Sequence, residues 1–155
     1  MTRRVFISYQ HEDQMKAKGF NLMRYNEKLD LRFTGRHLLD PVKSNDDAYI
    51  SRKIREQITN TSATVVLIGD KTHQSDWVPK EVAWSLGKNP PNGIVGIRLS
   101  DDVKLPQELI DCGAEILDWF KPEDVREFGD AIERAASTTR RLINVIPNTS
   151  SSCSR

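Results

Sequence analysis

The chain has 155 residues, enough for one domain built on a single core. A hydrophobic content of 37% against 29% charged residues suits a soluble globular protein, and no apolar run approaches the length that spans a bilayer. A net charge of +1, two distant cysteines and three scattered histidines argue against nucleic acid, an anionic membrane, a disulfide framework or a zinc site as the organising feature.

Met1-Thr2-Arg3-Arg4-Val5-Phe6 runs straight into strand-like sequence and lacks a secretory apolar region. Cys112 and Cys153 have no metal-ligand company, so a reduced, cytoplasmic setting is the expectation. Val5-Phe6-Ile7-Ser8-Tyr9 reads as the first strand. Residues 11–26 then turn helical, with Met15, Gly19, Leu22 and Met23 on one side. Leu29-Asp30-Leu31-Arg32-Phe33 alternates and predicts a second, more exposed strand at a sheet edge. Residues 34–45 read as a loop with Gly35 and Pro41, long enough to cover a site.

Ser44 opens the next helix, with Asp47 three residues on in a capping arrangement. Ile50, Ile54 and Ile58 form its buried stripe, while Arg52, Lys53 and Arg55 face outward, an arrangement more common in a solvated face than in a docking one. Val65-Val66-Leu67-Ile68, closed by Gly69-Asp70, reads as a buried strand. A helix follows, with Asp76 as the expected N-cap, Pro79 in the first turn and Gly87 as the expected stop. Val78, Val82 and Leu86 make its buried stripe. Trp77, Glu81 and Trp84 make a neighbouring one, which places a carboxylate between two indoles near the carboxyl end of a strand. The ordinary alternative is a solvated Glu81 and two core tryptophans.

Asn89-Pro90-Pro91-Asn92-Gly93 is a turn, and Ile94-Val95-Gly96-Ile97-Arg98-Leu99 a fourth strand. Residues 100–113 are read as a loop with room for a helical turn, before a fifth strand at Glu115-Ile116-Leu117-Asp118-Trp119. Pro122 starts the last helix, with Glu123 and Asp124 in its first turn and Val125, Phe128, Ile132, Ala135 and Leu142 on its buried side. The domain is expected to cover residues 1–146, and the polar tail, 147–155, to be disordered. Strands alternating with helices predict a flavodoxin-like α/β domain: a five-stranded, mostly parallel sheet with helices on both faces.

Several chemistries lack their parts. Neither Gly-rich phosphate-binding pattern is present, and Ser85 is not flanked as a nucleophile elbow. Cys112 has no marked base.

Two stretches together resemble a TIR domain. Val5-Phe6-Ile7-Ser8-Tyr9 is similar to the family's opening box, and Ser75-Asp76-Trp77-Val78-Pro79-Lys80-Glu81 to its S-x-W-x-x-x-E segment. The likeness extends through Tyr49-Ile50-Ser51-Arg52-Lys53-Ile54-Arg55 and Leu67-Ile68-Gly69, and is greatest to the compact bacterial group that includes ThsB of the Thoeris antiphage system. It runs from Arg4 to Trp119. The loop after the second strand departs from the family's Arg-Asp…Pro-Gly pattern, reading Thr34-Gly35-Arg36-His37-Leu38-Leu39-Asp40-Pro41.

The resemblance implies that Glu81 cleaves the nicotinamide–ribose bond of NAD, which is substrate rather than cofactor, with no metal. It implies Ser8, Tyr9, Gln10, Phe33, Thr34, Ser75, Trp77 and Trp84 as substrate-binding residues. It further implies a cyclic ADP-ribose-type product that activates a separate effector protein in antiphage defence, and a tendency to self-associate. Two other readings compete. One is a non-enzymatic TIR scaffold. The other is a phospho-receiver centred on Asp70, with Glu12 and Asp13 for Mg²⁺ and Ser100 and Lys121 as sensors.

Overall fold

Branched and aromatic side chains fill the five segments that pair into the sheet, as a pleated surface covered on both faces demands. The computed structural model describes residues 3–10, 13, 16–17, 31–35 and 47–145. Its strands are β1 (Arg3–Ser8), β2 (Leu31–Gly35), β3 (Ala63–Ile68), β4 (Gly93–Arg98) and β5 (Glu115–Asp118). All neighbours pair in parallel, in the order β2-β1-β3-β4-β5. That is the flavodoxin-like sheet the alternation predicted, with β2 at an edge. Thr34, expected in a loop, instead lies within β2 opposite Phe6, because pairing with β1 carries that strand on to Gly35.

Among the described residues, α1 (Asp47–Thr59), α2 (Trp77–Gly87) and α3 (Gln107–Asp111) connect strands, and α4 (Pro122–Val145) follows the last one. The side-chain period of two sorts the core into two layers. Val5, Ile7, Val65, Leu67, Val95, Ile97 and Leu117 pack with Phe128, Ala131, Ile132 and Ala136 of α4. Each large α4 side chain fully buried there contributes roughly 1.5–3 kcal/mol. On the opposite face, Val66, Ile68 and Ile94 meet Val78, Val82 and Leu109, while Phe6 meets Ile54 and Ile58 of α1. Gly93 is a close-approach position, since a Cβ there would collide with the Ala135 backbone of α4.

Two expectations change. Val125 is 40% exposed rather than buried, and Ala131 and Ala136 complete the face instead. The apolar spacing of α4 therefore runs one turn beyond the part that packs on the sheet. Helix α2 does not end on a left-handed Gly87; an extended Lys88 stops it, and Gly113 has the positive φ. Lys16 and Ala17 are helical, as expected for that stretch, and Ala17 is buried. The rest of the 11–26 helix apart from Asp13, the cover segment 36–45, Ser44, the Leu142 side chain and the 147–155 tail lie outside the described residues. Among the described residues no helix is long and apolar enough to cross a membrane.

Candidate active site

From β1 the chain moves out to β2 on one side, then crosses back to β3 on the other. The connections at the carboxyl ends of β1 and β3 therefore diverge, and in open α/β sheets that divergence is where ligands bind. Ser8 closes β1 at this point, in register with Val66 of β3.

Helix α2 brings Glu81 to the same place. Val78 and Val82 press on Val66 and Ile68, while Trp77 and Trp84 pack against Phe6, Ile54 and Ile58. Glu81 lies between those two apolar contacts and points at the sheet. It has no solvent exposure, and its Oε1 accepts a 2.7 Å hydrogen bond from the Ser8 hydroxyl, itself fully buried. A buried carboxylate survives only where its hydrogen-bonding capacity is met. The solvated Glu81 of the ordinary reading is therefore not what the chain adopts.

The start of α2 is capped by Ser75, whose Oγ accepts the Trp77 and Val78 N–H groups at 3.2 and 3.1 Å. Asp76, the expected cap, is exposed and makes no side-chain capping bond. Two adjacent residues were both suitable caps; the short 3-10 turn Thr72–Gln74 fixes which one faces the helix. Thr72 holds that turn, its hydroxyl accepting the Gly69 N–H at 2.8 Å. Gly69 lets the loops after β1 and β3 meet, since a Cβ there would overlap the Asp13 carboxylate.

The remaining residues expected at the site divide. Gln10 is half-buried just past β1, and its carbonyl accepts the Asp13 N–H at 2.8 Å. Tyr9 faces the opposite side of the sheet from Ser8, in the core layer with Ala17 and Phe128. Phe33 and Thr34 sit on β2, opposite Val5 and Phe6, and Thr34 is half-buried; the Phe33 side chain is outside the described residues. Trp77 and Trp84 are half-buried in the seam between α1 and α2, with Lys80 over one ring at 4.8 Å and Arg55 over the other at 5.1 Å. The structure thus joins Ser8 and Glu81 directly, sets Ser75 under the same helix, and turns Tyr9 away.

Two of the receiver parts, Lys121 and Ser100, are engaged elsewhere. The Lys121 ammonium lies 2.9 Å from Asp118, and the Ser100 hydroxyl donates to Asp102 at 2.6 Å. Glu12 is outside the described residues, and among those described no group of three His, Cys, Asp or Glu is placed to hold a metal ion. Cys112 is half-buried with its thiol against the Leu109 carbonyl.

What the sequence reading passed over is a buried polar cluster behind Glu81, formed by Thr61, Thr64, Ser85 and Asn92. The signal was available in part: Ser85 falls one turn after Glu81, on the sheet side of α2.

The family described as "Thoeris protein ThsB, TIR-like domain" matches residues 6–104. A Bacillus cereus (strain MSX-D12) protein, ThsB1, is 32% identical over 105 residues, 64% of this chain and 53% of that protein. Its name provisionally assigns it cyclic ADP-D-ribose synthesis. This chain spans about half the length of that curated relative. A conserved protein from Enterococcus faecalis V583 shares the fold at 13% identity and a TM-score of 0.50, over 94% of this chain and 88% of that one. The TIR domains of the activated Roq1 resistosome align at 16% identity and a TM-score of 0.49, over 96% and 90%.

Proposed function

This chain belongs to the Thoeris ThsB TIR-like family, and we propose that it cleaves the nicotinamide–ribose bond of NAD with Glu81 as the catalytic carboxylate. The observation that carries the reading is the Ser8–Glu81 pair, a fully buried carboxylate aimed by a hydroxyl at the sheet's switch point. In ordinary glycoside hydrolysis a second carboxyl must protonate the leaving oxygen. Nicotinamide departs from a positively charged pyridinium: the C1′–N bond breaks, both electrons go to the ring nitrogen, and the leaving group is neutral. No general acid is required. What remains is to stabilise the ribose cation and hold its hydroxyls, and one pre-aimed carboxylate away from water does both.

Water capturing the cation would give ADP-ribose. Capture by an adenine nitrogen or a ribose hydroxyl, with loss of a proton, gives a cyclic ADP-ribose isomer, the product class in the relative's name. Such a product diffuses, so the downstream partner would be a separate effector protein in antiphage defence, with self-association of this chain as a further element of control. Because Glu81 has no exposure, NAD reaches it only when the groups over it move aside, so turnover is gated by that opening.

The test is nicotinamide release from NAD by wild type and by Glu81→Gln, beside their melting curves. Release by wild type alone, with both proteins folded, supports the reading; equal release by the variant overturns it.

A further inference from the structure

Glu81 is held at both ends. Its carboxylate accepts from Ser8 at 2.7 Å, and its backbone carbonyl accepts from the Ser85 hydroxyl at 2.8 Å. A serine hydroxyl bonded back to the carbonyl four residues earlier biases the local bend of a helix. Here that hydroxyl is itself held. Thr64 Oγ1 lies 2.7 Å from Ser85 Oγ, and the Asn92 amide donates to Thr64 Oγ1 at 3.0 Å and to Thr61 Oγ1 at 2.8 Å. Thr61 in turn donates to the Ile58 carbonyl at the end of α1, at 2.7 Å.

Proton counting fixes the direction of this chain. Each hydroxyl has one proton. Ser85 gives its proton to Glu81, so Thr64 must give its own to Ser85 and accept from Asn92. The order is therefore Asn92 to Thr64 to Ser85 to the Glu81 carbonyl, with no freedom to reverse. Thr64, Ser85 and Asn92 have no solvent exposure and Thr61 has 6%, so water does not compete and each bond polarises the next. The network also ties three elements at one point: the start of β3, the turn into β4, and α2 one turn past Glu81. The Asn92 N–H adds a 2.9 Å bond to the Ser85 carbonyl.

We propose that Asn92, Thr64 and Ser85 are positioning residues, which fix the rotation of α2 so that the Glu81 carboxylate stays aimed at the ribose. This rests on the NAD-cleaving reading above. The Ser85 bond to residue 81 is the ordinary back-bond of a helical serine; what Thr64 and Asn92 add is a hold on that serine from the sheet, which a rotation of α2 would break. Apolar side chains of the same shape could fill the space between α2 and β3 at little cost.

The test uses Thr64→Val, which keeps the shape and removes the hydroxyl, Thr64→Ser, which keeps the hydroxyl, and Ser85→Ala, which cuts the last link. All are assayed well below their melting temperatures for nicotinamide release, with kcat and KM separated. A misplaced catalytic group costs up to about 100-fold, so Thr64→Val and Ser85→Ala should lower kcat about 10-fold, leave KM within about twofold, and Thr64→Ser should restore kcat. If Glu81→Gln is inactive while Thr64→Val and Ser85→Ala keep wild-type kcat, the positioning role is overturned and the NAD reading stands. If Glu81→Gln retains turnover, or wild type has none, both fall.

Discussion

Among the described residues, two carboxylates are buried at the carboxyl edge of this sheet, and they are held by different means. Asp118, at the end of β5, is gripped by the Arg98 Nε and Nη2 and by Lys121, and its own N–H is bound by Asp124. Those partners come from adjoining strand ends and the loop into α4, so the cluster closes on itself and ties β4, β5 and α4 together. Glu81 instead reaches from a helix across to Ser8 of β1, at the one place where the strand connections diverge. A carboxylate shared between a bidentate guanidinium and an ammonium is committed to structure, whereas under the proposed function one aimed by a hydroxyl at the switch point would serve a ligand that develops positive charge. On that proposal, burial alone does not single out the catalytic acid, and location relative to the topology does.

The comparison can be broken at either end. The largest effect is expected for Glu81→Gln, where turnover should fall by a factor on the order of 100 to 1,000, measured by nicotinamide release, with cooperative unfolding retained. Ser8→Ala comes next. It removes a hydrogen bond to a charged group, worth about 1.5–3 kcal/mol, and should lower turnover roughly 10- to 100-fold. Asp118→Asn should do the reverse, costing about 1–3 kcal/mol of stability in denaturant unfolding while leaving NAD turnover at the wild-type level.

The pH dependence sharpens the same contrast. Hydrogen bonding from Arg98, aided by Lys121 and opposed by burial, holds Asp118 below the usual carboxylate range. Its folded value is lower than its unfolded one, so the stabilisation is fully present above about pH 3.9 and is lost as the pH falls through the folded value. Acid unfolding of Asp118→Asn should therefore show a weaker pH dependence below that point. The smallest effect belongs to Ser75→Ala, which removes the α2 cap at a cost of about 1 kcal/mol in melting stability.

The strands and the helix carrying Glu81 were legible because they rest on local apolar runs and spacing, whereas the order β2-β1-β3-β4-β5 comes from the folded sheet. The apolar run Val5-Phe6-Ile7 of β1 is fully buried, and the i, i+4 stripe of Val78 and Val82 survives in the folded molecule. Choices between near-equivalent neighbours were not legible. Ser75 and Asp76 are both good caps, and only the preceding turn, held by Thr72, selects between them. Val125 fits the apolar spacing of α4, yet a helix can extend past the sheet it packs on. Least legible was the Asn92–Thr64–Ser85 chain, since it depends on the register of β3 against β4 and on the rotation of α2, neither of which any single segment encodes. The pairing of Glu81 with Ser8 lay between these cases. Each residue was marked by its own motif, and only the parallel placement of β1 beside β3 brings them into contact.

The most direct measurement is a structure of the Glu81→Gln variant soaked with NAD. The account predicts ribose hydroxyls within hydrogen-bond distance of side chain 81, beside Ser8 at the carboxyl ends of β1 and β3. NAD seated instead at the Arg98–Asp118 end of the sheet, or a ribose out of reach of position 81, would contradict it.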